Sequence, residues 1–111
     1  MAEPRSRHPD LNAIGMAAVF SALAHPARAR IVESLLTRDD WTAGNCASFN
    51  LPLSRSSLTH HLRVMSDAGL VIQRDHGNRC EVVLRKEELD ARFPGLLDLV
   101  RQGARERAGA R

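Results

Sequence analysis

A chain of 111 residues, 43% hydrophobic, suits one domain with a real but modest core. No apolar run approaches the roughly 18 residues of a membrane span, and neither a membrane partner nor a signal peptide is expected. The net charge of +3 and pI near 9.6 rest on fifteen arginines and one lysine. Arginine's planar fork suits phosphate and guanine, so composition permits a nucleic-acid partner, although GC-rich coding produces the same bias.

Residues 1–10 carry proline and arginine and read as a disordered arm. A single domain is expected over 11–102, with a frayed, charged tail over 103–111. The first helix is expected over Leu11–Leu23, where Met16, Val19, Phe20 and Leu23 repeat at helical spacing and Leu11 and Ile14 extend the apolar surface. Pro26 suits the first turn of a second helix running to about Thr37. Ala27, Ile31, Val32, Leu35 and Leu36 make its buried stripe, with Arg28, Arg30, Glu33 and Arg38 outside. Asp39-Asp40 marks a turn, Trp41 reads as a lid over the helical core, and Thr42 could cap a third helix over Ala43–Ser48.

Asn50-Leu51-Pro52-Leu53 is the next turn, and Ser54 suits the N-cap of a fourth helix. At about 100° per residue that helix sorts into two faces. Leu58, Leu62 and Met65 fall together, while Ser56, His60, Arg63 and Asp67 lie opposite with Thr59 beside them. Hydroxyls and arginines on such a face can bond phosphates and base edges. An ordinary amphipathic surface helix has the same pattern, and the next stretch of chain separates the two. Gly69 ends the helix, and two short apolar runs flank the tip Asp75-His76-Gly77-Asn78. In the second run Cys80, Val82 and Leu84 alternate with Arg79, Glu81 and Val83, the two-residue period of a strand. A β-hairpin directly behind a polar-faced helix is a wing.

Lys86–Asp90 begins a last element, which Phe93-Pro94-Gly95 interrupts or restarts. Phe93, Leu96, Leu97 and Val100 then form an apolar stripe with few partners left in so small a domain, which points to a second copy of the chain. The expected fold is mainly α, a winged helix-turn-helix of about five helices and a two-stranded wing.

Two segments carry a family resemblance. Ser21 to Ile31 resembles the "ALadPtRlrIL" signature of the ArsR-type (ArsR/SmtB) winged-helix repressors. Ser56 to Met65 with Ala68-Gly69-Leu70-Val71 resembles their "stvSxHLxxLxxAGLV" block, and the likeness covers roughly Leu11 to Val100. It implies a homodimer that regulates transcription by binding an operator inverted repeat, with a recognition helix in each major groove. Separately, two cysteines, Cys46 and Cys80, are too few for a disulfide framework and suit a reducing cytoplasm. The DNA-facing positions would be Arg55, Ser56, Ser57, Thr59, His60 and Arg63, with wing contacts from Arg74, His76, Asn78 and Arg79. The first and last helices would form the dimer interface through Leu11, Ile14, Phe93, Leu96, Leu97 and Val100. His61 sits at the edge of the apolar stripe and reads as a semi-buried, hydrogen-bonded packing residue.

Metal-sensing relatives commonly carry paired cysteines on the third helix, or Asp and His at helical spacing on the last. Here the corresponding positions offer a single Cys46, and Asp98 with no histidine. No metal site and no cofactor is therefore expected, and the sequence leaves open an organic effector or none. Three alternatives stand beside the DNA reading. One is a thiol switch at Cys46 or Cys80, although Cys46 lacks a neighbouring cation to activate it. Another is a winged helix used to bind protein. The last is an enzyme pairing Cys46 with a histidine, for which the chain leaves little room, so no catalytic residue is assigned.

Overall fold

The computed structural model describes residues 13–77 and 79–109, except for the side chain of Cys46. The elements run α1 (Met16–Leu23), α2 (Pro26–Leu36), β1 (Thr42–Ala43), α3 (Cys46–Phe49), α4 (Arg55–Ala68), β2 (Val71–Asp75), β3 (Cys80–Leu84), α5 (Lys86–Arg92) and α6 (Leu96–Gly109). The arm over 1–10, Leu11 and Asn78 lie outside the described residues.

The first helix is shorter than its periodicity suggests. Gly15 takes an extended N-cap conformation, and Ile14 drops into the core instead of extending α1. α1 buries Val19 and Ala22, so Met16 and Phe20 face outward, against the expectation of a Met16/Phe20 packing stripe. α2 starts as expected: Pro26 occupies the first turn, and the His25 ring accepts from Ala27 N at 3.1 Å as an N-cap. Ile31, Val32, Leu35 and Leu36 are buried along it. Arg28 and Arg38, placed outside by the helical pattern, turn inward. Arg38 donates to Ser48 O at 2.9 Å and ties α2 to α3.

The sheet has three strands in the order β1-β3-β2, all antiparallel, where the sequence predicts a two-stranded wing. Thr42 pairs with Val82 and Ala43 with Glu81, so Thr42 begins a strand and does not cap a helix. A β-branched, buried Thr42 fits that role, and the cap passes to Asn45, whose Oδ1 accepts from Ser48 N at 2.9 Å. Gly44 lies so close to Leu62 Cδ1 and Cys80 Sγ that a Cβ there would sit 3.3 Å from each. β2 and β3 pair from Val71↔Leu84 to Asp75↔Cys80.

The core lies where α2, α4 and the sheet meet. Ile31, Leu35, Leu58, Leu62, Met65, Leu70, Val71 and Val82 are all buried there. Each such side chain contributes about 1.5–3 kcal/mol on burial. α6 packs on α2 and α5, and Leu96 and Leu97 are used inside the chain. Its helix continues to Gly109, and Arg107 forms a bidentate pair with Glu33 of α2, where the sequence suggests fraying from 103. That carboxylate raises the Arg107 pKa.

Candidate nucleic-acid interface

The helix α4 is set firmly at both ends. Ser54 Oγ accepts from Ser57 N at 3.1 Å, and Gly69 closes the C-terminus at φ +91° while Leu70 N donates to Met65 O at 2.9 Å. Asn50, at φ +51°, and the Leu51-Pro52-Leu53 segment make the turn from α3 into α4. The buried side holds Leu58, His61, Leu62, Met65, Ser66 and Ala68.

The opposite side brings together the positions expected there. Arg55, Ser56, Ser57, Thr59, His60 and Arg63 are all exposed. Among the described residues, no acidic side chain pairs with Arg55 or Arg63. The hydroxyls are partly engaged: Ser54 bonds the Ser57 hydroxyl at 3.0 Å, and Thr59 Oγ1 donates to Arg55 O at 3.0 Å. Ser57 therefore serves the N-cap as well as the surface.

His61 lies at the inner edge of α4, 7% exposed. Arg28 Nη1 donates to its Nδ1 at 3.1 Å, and Arg28 Nε donates to Ala22 O at 2.8 Å. One guanidinium thus joins the end of α1, the start of α2 and the inner face of α4. The His25 ring lies 4.5 Å from the His61 ring, centroid to centroid, and the His60 ring lies 5.8 Å from it. Burial first, then the charges of His25, Arg28 and His60, push the His61 pKa down. Sequence periodicity found the histidine, but nothing in it pointed to Arg28.

The wing differs from its expected form. Arg74 Nε donates to Glu81 Oε1 at 2.9 Å, and His76 Nε2 lies 2.8 Å from the same oxygen. The Arg74 guanidinium also lies over the Trp41 ring, 3.9 Å from its centroid. Trp41 therefore supports the wing from its place beside β1, instead of covering the helical core. Hydrogen bonds from Arg74 and then His76 hold the Glu81 carboxyl below its ordinary pKa. Arg79 is exposed with no acidic partner among the described residues, and Asn78 lies outside them. Asp75 Oδ1 accepts from Gly77 N at 2.9 Å and shapes the tip, where Gly77 takes φ +87°. Burial pushes the Cys80 thiol up, against an opposing hydrogen bond from Gln73, which donates to Sγ at 3.6 Å.

Helix and wing face each other across an open groove of about 570 Å³. Arg55 and Thr59 line it from α4, and Arg79 and Gly77 line it from the wing. Arg63, Arg74 and His76 are not among its lining residues. The sequence missed Glu81 and Trp41 as members of this surface. The signal for Glu81 was present, because a hairpin turning at 76–79 sets Arg74 opposite Glu81.

The residues expected at a dimer interface divide differently. Ile14 is 1% exposed and Leu97 2%, and Leu96 is also buried, so these three are core residues of the single chain and not a free stripe. Their place is dictated by α1 starting late and by α6 packing on α2. Phe93 and Val100 are half-buried against the core. Met16, Phe20 and Leu99 instead stand out, 57%, 52% and 61% exposed.

Residues 23–74 match the model of a helix-turn-helix domain family. Two uncharacterized HTH-type transcriptional regulators of Mycobacterium tuberculosis, from strains CDC 1551 / Oshkosh and ATCC 25618 / H37Rv, are each 44% identical over 59 residues. That stretch is 53% of this chain, and the chain spans about half (51%) of those relatives' length. The crystal structure of a possible transcriptional regulator for arsenical resistance superposes with TM-score 0.58 at 29% identity, covering 87% of this chain and 99% of that one. An ArsR family transcriptional regulator shares the fold at TM-score 0.60 and 18% identity, covering 86% of this chain and 92% of that chain. The geometry of α4, the three-stranded sheet and these likenesses agree on a winged helix-turn-helix fold, with a helix-turn-helix domain over residues 23–74 and a likeness to ArsR family regulators of solved structure.

Proposed function

We propose that the protein regulates transcription by binding duplex DNA in a sequence-specific way, as a repressor acting at an operator inverted repeat. The observation that carries this is the exposed face of α4, where Arg55, Ser56, Thr59, His60 and Arg63 stand on a helix anchored by Leu58, Leu62 and Met65. Two of those side chains are arginines free of acidic partners among the described residues. Such a helix enters a major groove, where arginine bonds guanine edges and hydroxyls bond phosphates. Ser57 adds a flank contact, and Arg79, Arg74, His76 and Asn78 are the wing's contribution. We assign the chain no catalytic role, and a cytoplasmic setting fits a regulator; no described helix is long and apolar enough to cross a membrane.

The working unit is a homodimer. Met16 and Phe20 on α1 and Leu99 on α6 are apolar side chains in water, and a second copy covering them removes that cost. Phe20→Asp with Leu99→Glu then yields a monomer by analytical ultracentrifugation while keeping the helical circular dichroism of the parent.

The deciding experiment mixes the reduced protein with duplex from the region upstream of its own gene and with a scrambled duplex, at two salt concentrations. Tight binding lost in the scramble and weakened steeply by salt supports the reading. No binding to either duplex at low salt overturns it, and a stable protein complex in that case favours an interaction module.

A further inference from the structure

The wing's charges are arranged in a way that a DNA-binding role does not by itself require. Between Gln73 and Glu81 two arginines, Arg74 and Arg79, face two carboxylates, Asp75 and Glu81, so the wing has no formal excess of charge with His76 neutral. Asp75 is engaged in the tip turn, through its bond to Gly77 N. Glu81 is different. It is the cross-strand partner of Arg74 on the central strand of the sheet, and one of its oxygens, Oε1, takes both Arg74 Nε at 2.9 Å and His76 Nε2 at 2.8 Å. The Arg74 guanidinium also lies over the Trp41 ring, so the arginine is held by both a ring and an anion. An anionic oxygen held by an arginine and an imidazole at these distances has the charge and acceptor geometry of a phosphate oxygen.

We propose that Glu81 limits the wing's affinity for DNA: its carboxylate stands in the free protein where a backbone phosphate would sit on Arg74 and His76, and a duplex must displace it. This rests on the DNA-binding reading above. On binding, Arg74 and His76 exchange one anion for another, so the wing adds little net attraction. A phosphate gains from the exchange only if it reaches both donors together, which a misplaced duplex does not do. Glu81 thereby makes the wing a test of position and not a general source of attraction. Arg79, with no described acidic partner, is outside this arrangement.

The test measures binding of the full chain to a fluorescent duplex over a series of salt concentrations. Wild type, Glu81→Gln and Glu81→Ala are compared, each with and without Arg74→Ala. Glutamine keeps the size and the acceptor oxygen but not the charge, and circular dichroism and thermal midpoints confirm that every variant folds. Glu81→Gln and Glu81→Ala should bind about threefold tighter at low salt, with a salt slope steeper by about 0.9 for each additional phosphate neutralised. In the Arg74→Ala background most of that gain should vanish. An unchanged affinity and slope in both Glu81 variants overturns the proposal. A gain that persists in full without Arg74 also overturns it, since removal of any nearby negative charge would then suffice. If the wild type binds no duplex at any salt, the DNA reading falls and this proposal with it. If the wild type binds and the Glu81 variants match it, only this proposal falls.

Discussion

Helix α4 and the wing both carry arginine and histidine, yet the two regions hold their charge in opposite ways. On α4, Arg55 and Arg63 are exposed without acidic partners among the described residues, and the apolar side of the helix fixes their direction. On the wing, Arg74 and His76 are bound to Glu81, leaving Arg79 as the cation without a described acidic partner. The contrast teaches that counting basic residues overstates what a surface offers to phosphate. A paired arginine must give up one anion to take another, whereas an unpaired one gives up only water and counterions.

The largest effect should come from the joint between the two regions. Gly69 has φ +91°, and a Cβ there would lie 2.6 Å from Ile14 Cγ1. Gly69→Ala should lower stability by about 2–4 kcal/mol, through left-handed strain and overpacking together, as read from urea unfolding. A smaller loss would mean that Ile14 yields easily and that helix and wing are less rigidly joined. Next, Arg63→Ala should weaken operator binding by about 1–3 kcal/mol if it makes a bidentate base contact, and it should relax preference at one base pair. An unchanged affinity would place sequence reading elsewhere.

The wing arginines then sharpen the contrast within a single element. Arg79→Ala should weaken binding to all duplexes alike and reduce the salt slope by about 1. Arg74→Ala should cost less, within about 0.5 kcal/mol, because Glu81 already neutralises it. Equal losses at the two positions would erase the difference between a paired and an unpaired arginine. The smallest effect is one of pH. His61 is held neutral by the fold, with its pKa below the ordinary 6.5, so the unfolded chain takes up the proton first as pH falls. Its contribution to stability is complete above about pH 6.5 and is lost as pH drops through the lowered value. Unfolding midpoints at about pH 7.5 and pH 5 should therefore differ more for the wild type than for His61→Gln.

The sequence made the helices legible wherever one face was consistently apolar. Leu58, Leu62 and Met65 fixed the orientation of α4, and with it the outward direction of Ser56, Thr59, His60 and Arg63. Alternation in Cys80–Leu84 gave the central strand, and Gly69 gave the end of the helix. The features that escaped depended on long-range partners. Thr42–Ala43 is too short to show a period, and it becomes a strand only because β3, far along the chain, offers it an edge. Arg28 and Arg38 sit at outward positions on a helical wheel, but long side chains reach back to backbone carbonyls and, for Arg28, to His61. Helix α1 misled for another reason. Its Met16 and Phe20 are as apolar as core residues, and periodicity cannot separate a face buried within the chain from one left on its surface.

The two-residue strand β1 has a consequence for the cost of binding. Thr42 and Ala43 pair with Val82 and Glu81, and Gly44 N donates to Cys80 O at 2.9 Å, so the segment entering α3 is fastened to the middle of the wing. A hairpin tethered at its base alone would sample many tilts, and a duplex would have to freeze them out. Here that conformational entropy is already surrendered when the chain folds. The β3 amides facing β1 and β2 should accordingly exchange with solvent slowly and to nearly the same extent before and after DNA is added, so that a duplex bound as proposed would meet the hairpin as a template and not as a flap that closes on it.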